Sequence, residues 1–215
     1  MCLLRNELDS SAEHCAIGVL AMRGVHSADG NALVAFKDEV QAALRCTYAH
    51  ATRQELKALH PLDTYVAYYR RFGSSYHVLL QLESVIQGKS IPAGLPLVQA
   101  MFTAELKNML LTAGHDLERL VTPLHLRQAT GAETYVTLGG KETTLVANDL
   151  FLADGVGIVS SILKGPDMRT AITAETREVL YTVYAPTGIE PERVLAHLGD
   201  IEAYVRCASP NAETG

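Results

Sequence analysis

The stretch LPLVQAMFTAELKNMLLTAGHD, residues 95–116, constrains this chain more than any other. Leu95, Val98, Met101, Phe102, Leu106, Met109 and Leu110 recur at three- and four-residue steps, the spacing that gathers apolar side chains on one face of an α-helix. Pro92 and Pro96 stand at its start, where a helix tolerates a missing N–H, and Gly114 follows the last apolar turn as a left-handed stop. The spacing predicts one amphipathic helix over residues 95–116. Glu105 breaks its stripe: it falls seven residues after Val98 and three after Phe102, so it points along the apolar face. Asn108 lies one turn further on, and His115 and Asp116 end the helix.

A carboxylate on a buried face needs a partner or a water-filled cavity. Two readings fit. In one, Glu105 lies at the edge of the stripe and reaches solvent or caps a neighbouring loop. In the other, Glu105, Asn108 and His115 line a pocket.

Around this helix the chain is ordinary globular material. With 215 residues, 48% hydrophobic and 20% charged, it has enough apolar side chain for a sizeable core. No linker rich in Pro, Gly or Ser divides it and no repeat recurs, so one domain is expected over residues 1–215, with a core over 14–205 and a frayed tail over 206–215. A net charge of −6 argues against a broad nucleic-acid surface, and DNA is not an expected partner; a local basic patch remains open. Cys2, Cys15, Cys46 and Cys207 are scattered, with no CxxC, which points to neither a zinc site nor a disulfide framework. The histidines show no metal-ligand spacing, and GxSxG, GxGxxG, P-loop and HExxH motifs are all missing, so no metal and no cofactor is expected. The N-terminus lacks the apolar core of a signal peptide and no run approaches 18 apolar residues, so a cytoplasmic chain without membrane association is expected.

Along the chain, the apolar run 14–25 reads as a buried strand. Asp29 and Asn31 offer N-caps for a helix over 32–48, and Thr52 with Glu55 has capping-box spacing before a short segment at 56–59. Pro61 opens a helix that Gly73 closes; its Tyr65, Tyr68, Tyr69, Arg70 and Arg71 form the most aromatic and basic stretch. That stretch reads either as half-buried tyrosines beside solvated arginines or as an RNA-facing patch, in which Tyr stacks on bases and Arg pairs with phosphate. A further helix spans 76–87. Strands follow at 124–129, 134–138, 143–146, 150–153, 157–163 and 179–185, with Gly139-Gly140 as a hairpin signal, and Pro191 opens a last helix to about 205. Helices gather in the first half and strands in the second, which predicts an α+β fold with a mainly antiparallel sheet. Asp149, Asp154 and Asp167 stand at strand ends, the usual place for turn carboxylates. Arg169 follows one of them in a loop; it suits either a ligand carboxylate or phosphate, or an internal pairing with Asp167 or Glu175.

Taken in order, the segments LTAGHDLERL, LHLRQATGAETYVTLGGKETTLVANDLFLADGVGIVSSILKGP and ITAETREVLYTVYAP resemble the B3/B4 domain of the bacterial phenylalanyl-tRNA synthetase β subunit, and the freestanding proteins built from that domain. Glu133-Thr134, Leu138-Gly139-Gly140, Glu142, Ala153-Asp154 and Glu175-Thr176 carry the likeness, which spans about residues 65–186. The resemblance implies a three-layer α+β fold around a β-sandwich of unusual connectivity. It also implies editing: hydrolysis of an amino acid wrongly attached to a tRNA, as a second sieve for what a first cannot reject. The family's editing histidine falls on Ala113, its acidic residue near Thr182, and its glycine-rich wall on Ile162, Leu163 and Lys164 before Gly165.

The sequence thus predicts a freestanding, trans-acting editing-like domain that binds, and hydrolyses, an aminoacyl-tRNA or a related aminoacyl ester. Glu105 and His115 would position water; Asn108, Asp154, Ser160, Lys164, Arg169 and Thr182 would read the ligand; Tyr69, Arg70 and Arg71 would meet RNA. A non-catalytic module that holds a small amino-acid-like ligand, RNA or a partner protein is the alternative.

Overall fold

The computed structural model describes residues 3–8, 14–26 and 33–215. Cys2 and the proposed caps Asp29 and Asn31 lie outside the described residues. The chain is α+β, with five of its six described α-helices before residue 109 and most strands after it. β1 (Leu4–Asn6) and β2 (Cys15–Arg23) come first. Then follow α1 (Val34–Thr47), α2 (Arg53–Lys57), α3 (Leu62–Arg71), α4 (His77–Ile86) and α5 (Pro96–Asn108). β3 (Thr112–Asp116), β4 (Leu124–Gln128), β5 (Thr134–Val136), β6 (Glu142–Thr144), β7 (Leu150–Ala153), β8 (Ile158–Ser161), β9 (Gly165–Pro166) and β10 (Glu178–Pro186) follow. α6 (Pro191–Ala208) and β11 (Glu213–Thr214) close the chain.

Two sheets organise these elements. One has the order β1-β4-β7-β8-β9, the other β11-β2-β10-β3, and β5 with β6 forms a separate hairpin. All pairings are antiparallel except β1 with β4. β10 is the spine of the second sheet, pairing with β2 along its whole length and with β3 through Val179–Val183. Alternation along β10 sends its side chains to two layers. Tyr181 points to the helices, donating to the Leu97 carbonyl of α5 at 2.9 Å. Tyr184 points to the other sheet, where its hydroxyl meets Ser160 Oγ of β8 at 2.7 Å. Gly18 on β2 allows α6 to pack close: a Cβ there would lie 2.3 Å from Val194 Cγ1. Helices, four-stranded sheet and five-stranded sheet are therefore stacked layers.

α3 fastens one end of the stack through its tyrosines. Tyr65 donates to the Tyr184 carbonyl, Tyr69 to the Ile162 carbonyl and Tyr68 to Asp149, all buried. The capping box at Thr52 and Glu55 is present and starts α2.

Three expectations are corrected. The stretch 95–116 is not one helix: α5 stops at Asn108, and Met109, in the left-handed region at φ 61°, turns the chain toward β3. Gly114 is a strand residue instead of a helix stop. An apolar run of this kind suits either a helix or a strand, and pairing with the distant β10 decides for the strand. The tail is not frayed either: α6 runs to Ala208, Ala212 is buried, and β11 adds to the edge of β2. β1, β9 and β11 are too short to have a pattern of their own and were not anticipated.

Candidate functional site

β3 ends the four-stranded sheet, so one side of its backbone is free of strand pairing. The amide of Thr112 points off this free edge to Glu105 Oε1 at 2.9 Å, and that of Asp116 points off it to the Thr170 carbonyl at 2.8 Å. Alternate residues of an antiparallel strand project their N–H and C=O to the same edge, so those of Gly114 face the same way. A cavity of about 240 Å³ lies against this edge, below the ~300–1,000 Å³ range of drug-sized pockets and suited to a smaller ligand. α5 gives Val98, Met101, Phe102 and Glu105 to its wall; β3 gives Thr112, Ala113 and Gly114; Ser161, Pro166, Ile172 and Tyr184 close the far side. His77, Gln81 and Leu138 also line it.

Glu105 is the distinctive group in this mostly apolar lining. Its residue is 1% exposed, one carboxyl oxygen takes the Thr112 amide, and the other, Oε2, is buried without a hydrogen-bond partner. Burial pushes its pKa up to about 8, against the opposing pull of the Thr112 amide, so at neutral pH it is mostly a neutral acid. The phenols nearby do not relieve it. Tyr65, Tyr69 and Tyr76 spend their hydroxyl protons on the carbonyls of Tyr184, Ile162 and Met109. The strand below is braced from α6: His197, buried, meets Thr112 Oγ1 at 2.7 Å and Asn108 Nδ2 at 3.2 Å. Asn108 donates to Asp200 at 2.8 Å, and Asp200 pairs with Lys107 at 2.7 Å.

His115 is placed apart from Glu105. Thr112 and Gly114 face the helices, whereas Ala113 and His115 face the other sheet, and His115 is not among the described residues lining the cavity. It is fully buried, its Nδ1 is 2.8 Å from Thr170 Oγ1, and Thr170 hydrogen-bonds in turn to Asp167. Its Nε2 has no partner. Burial, reinforced by the Arg169 charge, lowers its pKa to about 4, so it is a neutral ring enclosed in the core. The shared hollow expected of Glu105 and His115 is therefore replaced by a cavity that holds Glu105 alone of the two.

The other anticipated residues are dispersed. Asn108 turns to α6, away from the cavity. Asp154 organises a loop, accepting the amides of Val121, Val156 and Gly157 at 2.9–3.0 Å and the Arg169 guanidinium at 2.9 Å. Arg169 also lies 3.6 Å from Asp167 and donates to the Arg119 carbonyl, so its charge is used internally. Ser160 is bonded to Tyr184 between the sheets, and its neighbour Ser161 lines the cavity in its place. Thr182 is buried against the Ala113 carbonyl at 3.5 Å. Lys164 is exposed, and its amide donates to Ser161 Oγ. Tyr69 is a core residue whose ring is not presented for stacking on a base; Arg70 is exposed, and Arg71 lies over the Tyr68 ring at 4.4 Å.

The sequence reading missed Thr112, Gly114, Ser161, Tyr184 and Ile172 as lining residues, because sheet pairing brings them together. His197 did carry a signal, as a polar residue in the apolar stripe Val194, Leu198, Ile201 of α6. Among the described residues, no group of three or more His, Cys, Asp or Glu is placed to hold a metal ion. None of their helices is long and apolar enough to cross a membrane.

The family model of the B3/4 domain matches residues 103–194, which include Glu105, β3 and the far wall. A search of curated proteins found no match. Among solved structures, an N-terminal fragment of the phenylalanyl-tRNA synthetase β subunit from Pyrococcus horikoshii is similar in fold. Its TM-score is 0.53 at 13% identity, covering 98% of this chain and 50% of that one. The chain thus spans half the length of that fragment. The resemblance read from the sequence holds: residues 103–194 match the B3/4 domain model, and the fold is similar to that of the phenylalanyl-tRNA synthetase β-subunit fragment.

Proposed function

We propose that the cavity at the free edge of β3 binds the aminoacyl group of an aminoacyl-tRNA, or of a related aminoacyl ester, and that the ester is hydrolysed there. The observation that carries this reading is the unpartnered, buried Oε2 of Glu105, a residue of the B3/4 segment, on the wall of an amino-acid-sized cavity. A buried polar atom left without a partner is costly, and a ligand that pairs with it recovers that cost. The free N–H of Gly114 suits the ester carbonyl, as a backbone donor aimed where negative charge develops. Met101, Phe102 and Ile172 offer apolar surface to a side chain. In the reaction, water oxygen bonds to the carbonyl carbon, the bond to the ribose oxygen breaks, and that oxygen leaves as the hydroxyl of the tRNA. Glu105 as carboxylate accepts the proton of the attacking water. Arg53, Lys57 and Arg70, which surround adjoining surface hollows on α2 and α3, suit contact with RNA phosphate.

The test is release of free amino acid from a panel of mischarged tRNAs by the wild-type chain and by Glu105→Ala. Hydrolysis by the wild type that drops at least tenfold in the variant supports the reading. Equal rates, or none above buffer for every substrate, refute hydrolysis. A second reading, binding without hydrolysis, is favoured by Ala113 at the place of the family's editing histidine and by the enclosure of His115. A small amine retained through purification and seen by native mass spectrometry, together with inert esters, selects it.

A further inference from the structure

Resting on that reading of the cavity, we propose that Glu105 is the counter-ion of the ligand's primary ammonium group, and that this ammonium displaces the carboxyl proton on binding.

What the described wall of the cavity lacks is a cation. Among its described lining residues there is no lysine and no arginine, so a ligand anion would find no opposite charge at this wall. Lys107, one residue along α5, is turned outward to Asp200. Glu105 is the one carboxyl in the described lining, with one oxygen held by Thr112 and the other empty-handed. A purely apolar ligand would bury that oxygen more deeply without pairing it. An ammonium supplies both a donor and a charge, and such a pair is strong where water is excluded. The same exchange creates the carboxylate that hydrolysis requires, so the ligand itself converts a neutral acid into a base.

Binding releases one proton. Before binding, Glu105 holds a proton at neutral pH and the free amine is a cation. Afterwards ammonium faces carboxylate, and one proton has left for solvent. The other titratable groups packed around Glu105 are His77 on α4, Tyr65 and Tyr69 on α3, Tyr76 before α4, Tyr184 on β10, and His197 behind Thr112 on α6. Burial raises all four tyrosines and lowers both histidines, so none of them titrates between pH 7 and 9.

The probes are phenylalaninol and leucinol, which keep the amine and an amino-acid side chain but have no carboxylate. They are compared with 3-phenylpropanol and 4-methylpentanol, which lack the amine. Calorimetry at pH 7 in phosphate and in Tris, two buffers of different ionisation heat, counts the protons released. The expected result is tighter binding of the amines than of the alcohols, release of close to one proton, and affinity rising several-fold from pH 7 to 8 before levelling. Glu105→Gln keeps an acceptor for the Thr112 amide; it should abolish proton release and weaken the amines about tenfold while leaving the alcohols unchanged. The comparison of amines with alcohols on the wild-type chain stands whether or not that variant folds. Should the alcohols bind as tightly as the amines, with no proton released, the ammonium assignment falls while the aminoacyl cavity stands. Should no probe bind and no ester be cleaved, both fall.

Discussion

Replacing Glu105 by glutamine should change how stability depends on pH in a way a surface acid cannot. The folded carboxyl has a pKa of about 8 against a reference of 4.5, because burial disfavours its charge. Between these two values the folded chain keeps a proton that the unfolded chain has lost. The unfolded state then binds fewer protons, so stability falls as pH rises. The slope is about 1.4 kcal/mol per pH unit, which accumulates to roughly 3 kcal/mol by pH 7 and about 5 kcal/mol above pH 8. Glutamine has no proton to lose, and its side-chain oxygen can still accept the Thr112 amide. The difference in stability between Glu105→Gln and wild type should therefore widen in favour of the variant between pH 5 and 8, then level off. Asp149, raised to about 6 by burial, adds a slope of its own, but both chains carry it and the difference cancels it. Urea unfolding at unit steps from pH 5 to 9, with m-values unchanged between the chains, measures the effect. A difference that stays constant across that range would show Glu105 ionising normally, with water reaching its carboxyl. The orphan acid, and every argument resting on it, would then be gone.

His115 and His197 are both lowered to about 4 by burial, so below pH 6.5 the unfolded chain takes up protons the folded chain refuses, and stability falls toward pH 4 by about 3 kcal/mol per histidine. His197→Gln should remove one such share, and urea curves that stay parallel to wild type from pH 6.5 to 4 would contradict it. Asp154→Ala strips the acceptor from three backbone amides and from Arg169, and should cost about 3–5 kcal/mol by urea unfolding; a loss below about 1 kcal/mol would refute the loop's dependence on it. Gly18→Ala drives a Cβ to 2.3 Å from Val194 Cγ1, so α6 must shift and the melting midpoint should fall by the equivalent of about 1–3 kcal/mol; an unchanged midpoint would refute the tight packing.

One residue of the site, Glu105, was legible for a local reason. Glu105 announces itself as an acid in an apolar stripe, a pattern that fits either a solvent-reaching edge or a pocket; the packing of α5 against β3 decides for burial. His197 carries the same mark on α6. The Tyr-rich α3 is a different case. Tyrosine is apolar along its ring and polar at its tip, so one pattern serves both a core and an RNA face. The carbonyls of Tyr184 and Ile162, 119 and 93 residues away, settle it for Tyr65 and Tyr69 as core. The loop carboxylate Asp154 was placed correctly at a strand end, where its bonds to the Val156 and Gly157 amides are local turn chemistry; its bonds to the Val121 amide and to Arg169 join chain segments that meet only in the folded state.

The sequence by itself determined the α+β class, the acid set in an apolar stripe, and the likeness to the B3/4 domain, because these rest on periodicity, turn residues and collinear motifs within short windows. Tertiary structure decided that residues 112–116 are a strand. Their pairing with β10, some seventy residues away, outweighs a helical pattern that is satisfied equally well locally. That one pairing also decided the site. Strand alternation places Thr112 and Gly114 on the side of Glu105 and turns His115 to the opposite face, a division that the continuous helix expected from the sequence would not have made.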